Sequence, residues 1–179
     1  MRILINMLSI GSLSGEHVAF GFTGELLQKL TAEDRIFILH YRSQRIPDNV
    51  RKPAVTLVPA NDGIRHWMTR SAWEPLAIRR LVRQKLIHRV VGFAGVMTPF
   101  LSLPQVVLAQ NPWAFVREAR SGVAEEAKAY LQRRAYRTAY LQADHALYVS
   151  GHLRNFYNKN FEKDSAEPAP ASITYEGLD

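Results

Sequence analysis

Short aliphatic runs alternate with longer amphipathic stretches along this chain. Arg2 to Met7, Arg35 to His40, Ala54 to Val58, Val90 to Phe93, Gln105 to Ala109, His145 to Val149 and Ser172 to Tyr175 each predict a strand. Glu16 to Leu30 places Val18, Phe22, Leu26, Leu27 and Leu30 near one helical face, with Ser14 as a suitable N-cap. Ala72 to His88 predicts a long basic helix, with Leu76, Leu81, Val82, Leu86 and Ile87 supplying apolar contacts. Gly122 to Ala143 predicts the longest helix and Gly151 to Lys159 a shorter one. Arg42 to Pro53 is a polar connection, and Asn61 to Ser71 a loop or frayed helix. Glu162 to Ala171, rich in Pro and Ala, reads either as a loop or as a segment before a linker. Continuous aliphatic strands alternating with helices specify an α/β domain around a parallel sheet.

The chain has 179 residues, 47% of them hydrophobic and 22% charged, which suits one ordinary globular domain. It has no cysteine, which excludes disulfides and thiolate chemistry. Lys and Arg number 23 against 16 Asp and Glu, a net charge of +7 that favours anionic partners. The opening Met1 to Gly11 lacks a signal-peptide cleavage pattern, and Asn6 interrupts its apolar run. Val90 to Val116 carries no charge, yet Pro99, Pro104 and Pro112 make a spanning helix costly. Two strands joined by a loop account for that stretch better. The six histidines show no metal-ligand spacing, so no metal is assigned. No G-x-S-x-G elbow is present to anchor a hydrolase triad.

In open parallel sheets, ligands bind beyond the carboxyl ends of the strands. Four places there, or on the surface, carry candidate chemistry. Gly11 to Gly15 leads from a strand into a helix, where backbone N–H groups can meet a phosphate; the alternative is a tight turn. His17 stands beside it. The dinucleotide and P-loop fingerprints are both missing. Gln110 and Asn111, followed by Pro112 and Trp113, suit hydroxyl recognition by amides and stacking of a sugar on an indole. The alternative is an Asn-stabilised turn with the indole packed under a helix. Ser150 is either an N-cap or a ligand contact, and Arg154 stands one turn further along. The basic helix presents Arg79, Arg80, Arg83, Lys85 and Arg89 with almost no acidic partners. It reads as a solvated face or as a patch for an anionic membrane surface. Nucleic acid is set aside, because no aromatic residues are interleaved with these cations.

Taken in order, these features resemble the N-terminal domain of GT-B-fold glycosyltransferases, specifically family 4 of the retaining enzymes. Five stretches carry the likeness: Met1 to Asn6 with Gly11 to Gly15; Gln84 within its basic helix; Pro104 to Pro112; Ala139 to Ser150; and Ile173 to Asp179. The Ala143-Asp144 helix end, the strand and Ser150 before the next helix form the most specific match. The resemblance implies a Rossmann-like three-layer α/β/α domain with a mainly parallel sheet, half of a GT-B architecture. It implies one acceptor-side domain over residues 1–179, with the donor-binding C-terminal domain absent, so that the chain alone is an incomplete half. The implied reaction transfers a sugar from a nucleotide-sugar co-substrate to an acceptor hydroxyl with retention, in polysaccharide or glycolipid synthesis, without cofactor or metal. Gly11, Ser14 and Gly15 would contact the donor diphosphate. His17, Gln110, Asn111, Trp113, Ser150 and Arg154 would face a glycan or lipid-linked acceptor. Many members carry a His near the Gln110-Asn111 position, and this chain has none there. A front-face mechanism, in which the leaving phosphate takes the proton, needs no such base, so no catalytic residue is assigned. The expected location is cytoplasmic and peripheral on the inner membrane face. The competing expectation is a non-catalytic sugar- or phosphate-binding module, or a partner subunit of a transferase. A nucleotide-dependent oxidoreductase is disfavoured by the missing fingerprint.

Overall fold

The computed structural model describes residues 1–161 and 167–174. Its elements are β1 (Arg2–Asn6), α1 (Leu13–Gln28), β2 (Arg35–Tyr41), β3 (Val55–Ala60), α2 (Trp67–Lys85), β4 (Arg89–Phe93), β5 (Gln105–Ala109), α3 (Val123–Gln142), β6 (His145–Tyr148), α4 (Gly151–Phe161) and β7 (Ala171–Ile173). The strands follow the sheet order β3-β2-β1-β4-β5-β6-β7. This is the Rossmann-like α/β fold with a parallel sheet that the alternation of elements specified. The uncharged stretch from Val90 to Val116 forms the end of β4, a connection and β5. No described helix is long and apolar enough to cross a membrane.

The chain divides into two compact units: Met1–Phe93 with Thr98–Pro104, and Ala94–Met97 with the residues from Gln105 onward. In the first unit, β1 pairs in parallel with both β2 and β4, and β2 pairs in parallel with β3. Because side chains alternate across a strand, successive residues serve opposite faces. Leu4, Phe37, Leu39, Tyr41 and Val90 pack with Ile78 of α2. Phe93 meets Phe22 of α1 edge to face, with ring centroids 6.0 Å apart. In the second unit, β6 pairs in parallel with β5 and β7. Val107, Ala109, Ala146 and Tyr148 pack with Tyr136 and Tyr140 of α3 and with Leu153, Tyr157 and Phe161 of α4.

Several local expectations are corrected. Helix α1 starts at Leu13, three residues before Glu16, because Ser12 and not Ser14 is its N-cap. Its buried stripe is Gly15, Ala19, Phe20 and Thr23, offset from the predicted Val18 and Phe22 positions. Helix α2 starts at Trp67, five residues before Ala72, and continues through Pro75. Leu76 and Leu86, expected to bury, are 67% and 63% exposed, and Ile78 supplies the buried contact. The last predicted strand is found at Ala171–Ile173. Tyr175 and the Gly-x-Asp turn lie outside the described residues, as do residues 162–166 of the Pro/Ala connection.

Candidate functional site

In the first unit the carboxyl ends of β1 and β2 and the start of α1 form one polar edge. Ser12 Oγ accepts the Gly15 N–H at 3.1 Å, and Ser12 O accepts the Glu16 N–H at 3.0 Å. Gly15 is buried and its N–H is committed to this cap, so it contributes no free donor. The remaining first-turn donors of α1 are the N–H groups of Leu13 and Ser14, which have no carbonyl four residues back within the helix. Gly11 is exposed, with open space where a Cβ would stand and no positive φ. Ser14 is exposed and its Oγ lies 3.2 Å from Ser12 Oγ. His17 is exposed on the next turn.

Sequence reasoning missed a second group at this edge. Asn6, the last residue of β1, donates from Nδ2 to Glu74 Oε1 at 2.6 Å and accepts the Leu8 N–H on Oδ1 at 3.2 Å. Arg70 lies 3.6 Å from Glu74 Oε2 and donates to Leu8 O at 3.0 Å. Burial raises the Glu74 carboxyl above its ordinary value, outweighing the Asn6 bond and the Arg70 charge, which lower it. On β2, His40 is buried and its Nδ1 donates to Tyr41 O at 2.7 Å. Burial pushes this imidazole below its ordinary value. Gln44 donates to Glu16 Oε1 at 3.0 Å, tying the turn after β2 to the first turn of α1. A polar residue ending a strand was the only signal for Asn6. Nothing in the sequence pairs it with a carboxylate 68 residues away.

In the second unit the turn after β5 is held from below by rings. Tyr136 OH donates to Asn111 O at 3.3 Å and accepts from Gln132 Nε2 at 2.7 Å. Burial pushes its phenol up to about 12. Phe115 stacks among Tyr136, Phe156, Tyr157 and Phe161, with ring centroids 5.4 to 5.7 Å apart. Gly95 sits at φ +70 beneath this cluster. A Cβ there would lie 3.0 Å from Tyr157 Oη and 3.5 Å from Tyr136 Cδ1.

Of the residues expected here, Asn111 Oδ1 accepts the Trp113 N–H at 2.8 Å, an Asn-stabilised turn. Trp113 is half-buried rather than open to solvent. Its Nε1 donates to Ala119 O at 3.2 Å, and Lys128 Nζ lies 4.8 Å from its ring centroid. Ser150 Oγ accepts the Leu153 N–H at 3.1 Å and caps α4. Arg154 is exposed one turn further on. Gln110 differs from these neighbours, because its Nε2 is buried and has no hydrogen-bond partner. His145, at a strand start, contacts Ser172 Oγ at 2.9 Å.

The basic helix divides as well. Arg79 donates to Phe100 O from Nε and Nη2 at 3.2 and 2.9 Å, and its guanidinium lies 5.2 Å from the Phe100 ring centroid. Arg79 is therefore engaged within its own unit, whereas Arg80, Arg83, Lys85 and Arg89 are exposed. Among the described residues, no group of three or more His, Asp or Glu side chains could hold a metal ion. A cavity of about 590 Å³, lined by Gly24, Leu27, Arg35, Asn49 and Ala54, lies at the amino ends of β2 and β3, away from the ligand edge.

No family profile matches the sequence, and no curated protein matches it. Solved structures do match. UGT73P12 of Glycyrrhiza uralensis, complexed with glycyrrhetinic acid 3-O-monoglucuronide, superimposes with a TM-score of 0.59 at 9% identity, over 97% of this chain and 48% of its own. UGT2 of Phytolacca americana, complexed with UDP-2fluoro-glucose and pterostilbene, gives 0.58 at 11% identity, over 99% of this chain and 54% of its own. Os79 from O. sativa, in complex with UDP, gives 0.56 at 9% identity, over 99% of this chain and 52% of its own. This chain thus spans about half the length of each of these structures. At such identities the likeness is one of fold: the parallel sheet and its helices match a domain of a GT-B glycosyltransferase.

Proposed function

We propose that this chain is the acceptor-side half of a glycosyltransferase that moves a sugar from a nucleotide-sugar to an acceptor hydroxyl. The observation that carries the reading is the match of nearly the whole chain to about half of each sugar-transferring neighbour. The donor half belongs either to the same polypeptide or to a partner subunit. Retention at the anomeric carbon, membership of family 4 and a role in polysaccharide or glycolipid synthesis rest on the sequence resemblance and are part of the proposal.

In this reading the Leu13 and Ser14 N–H groups, with the positive end of α1 behind them, face the donor diphosphate. Gln110 is the acceptor contact, because its Nε2 is a buried donor left without a partner, and a hydroxyl oxygen would supply one. Asn111 and Trp113 shape the turn that presents it. The leaving phosphate takes the acceptor proton, so the reaction needs no base from this half.

The test uses the protein with both halves present. Release of nucleoside diphosphate from a nucleotide-sugar should depend on an added acceptor. Replacing Gln110 with Ala should raise the acceptor KM about tenfold without lowering thermal stability, since no bond of the free protein is lost. If no acceptor-dependent release occurs, the transferase reading fails. If release occurs and Gln110→Ala leaves KM unchanged, only the acceptor assignment fails.

A further inference from the structure

Helix α2 turns an unusual surface outward. Its only carboxylate, Glu74, is directed inward to Asn6 and Arg70. Residues at spacings of three and four share a helical face. The positions facing solvent along that line are Ala72, Leu76, Arg80 and Arg83, all exposed. Lys85, the last residue of the helix, and Arg89, the first of β4, are exposed too, but stand off this line. Leu86 caps the helix in the left-handed conformation, φ 51, and holds its side chain outward. Phe100, on the connection after β4, is 81% exposed, and Arg79 clamps its backbone carbonyl and ring. The result is a face with two exposed cations, Arg80 and Arg83, no carboxylate from the helix and separate large apolar side chains beside them.

We propose that this face of α2, together with Phe100, docks the protein on an anionic lipid bilayer. The cations would lie among the lipid phosphates, while Leu76, Leu86 and Phe100 enter the upper acyl region. Leu76 and Leu86 are ten residues apart, about 15 Å along a helix. A protein partner of ordinary affinity needs a packed central cluster of anchors. A fluid bilayer takes apolar side chains singly, each inserting where it stands, and pairs them with flanking Lys and Arg. Charge complementarity therefore selects the occupant, and the spacing of the apolar groups favours lipid over an acidic protein. Arg79 has a different part from its neighbours: it positions Phe100.

The experiment is co-sedimentation of the full chain with vesicles of about 30% phosphatidylglycerol in phosphatidylcholine, a surface on which each cation matters. Pure phosphatidylcholine vesicles are the comparison. The chain should bind the anionic vesicles, bind the neutral ones far less, and dissociate at high salt. Arg80→Gln with Arg83→Gln should weaken binding about 25-fold, near fivefold per cation. Phe100→Ser or Leu76→Ser should weaken it about tenfold through lost insertion. Arg45→Gln, an exposed cation in the turn after β2, should leave it unchanged. Absence of binding to the anionic vesicles overturns the proposal and leaves the face to an acidic protein partner. Equal weakening by Arg45→Gln and by the α2 variants also overturns it, because only diffuse charge would then be acting. Vesicle binding needs neither donor nor acceptor, so this outcome is independent of the transferase reading.

Discussion

In the unit of β1 to β4, the edge beyond the strands is secured by polar bonds between distant stretches of chain: Asn6 to Glu74, Arg70 to Leu8 and Gln44 to Glu16. In the unit of β5 to β7, the turn after β5 rests instead on rings, with Tyr136 holding Asn111 O and Phe115 seated among four aromatic neighbours. The two constructions fail differently. A polar bond at a half-buried edge can be broken with one group left wanting a partner, at moderate cost. A close-packed ring cluster tolerates almost no added volume. The first edge is therefore sensitive to pH and the second to shape.

The largest effect should come from adding one methyl group to the aromatic side. Gly95→Ala meets both a positive φ and Tyr157 Oη at 3.0 Å, and should cost about 2–4 kcal/mol in urea unfolding. Gly11→Ala, with open space and no positive φ, should change stability by less than about 0.5 kcal/mol. Equal costs for the two would remove the shape half of the comparison.

An intermediate effect belongs to the polar edge. Glu74→Ala leaves Asn6 Nδ2 and Arg70 without their partner and should cost about 1–3 kcal/mol. The folded carboxyl titrates above its ordinary value, so the folded state holds the proton more tightly than the unfolded chain. Its contribution is complete below the ordinary glutamate value of 4.5 and is lost as pH rises through the raised folded value. Glu74→Gln keeps an acceptor for Asn6 and cannot ionise. The stability difference between wild type and this variant should therefore shift against wild type as pH rises from about 4.5. A difference that stays flat with pH would mean that Glu74 does not titrate as a buried carboxyl.

The smallest effect tests the cap. Ser12→Ala should cost about 1 kcal/mol, and Ser14→Ala close to nothing, by thermal unfolding. The reverse order would restore the helix start that the sequence pattern favoured.

Much of the fold was legible before folding was considered. Runs such as Arg35 to His40 and Gln105 to Ala109 have no polar alternation, and only a strand covered on both faces suits them. Helix α3 was placed to within a residue, because Glu125 and Glu126 at its start and a long run of good helix formers agree. The site was less legible. Ser150 and Asn111 were each readable as ligand contact or local cap, and the local bond is the one that forms. Short polar side chains next to free backbone groups find them at little entropic cost. Gln110, one methylene longer than its neighbour, keeps an unpartnered amide donor.

Composition and periodicity by themselves determined the class of domain, the order of its elements and the excess of positive charge. These follow from local preference and from which side chains leave water. Tertiary structure decided which polar groups meet: that Glu74 turns inward to Asn6, that Arg79 clamps Phe100, and that Leu76 and Leu86 stay in solvent. Each depends on the packing of elements far apart in the chain. The hydrophobic pattern sets which faces bury, but the partner of a single polar atom is fixed only when the backbones around it are in place.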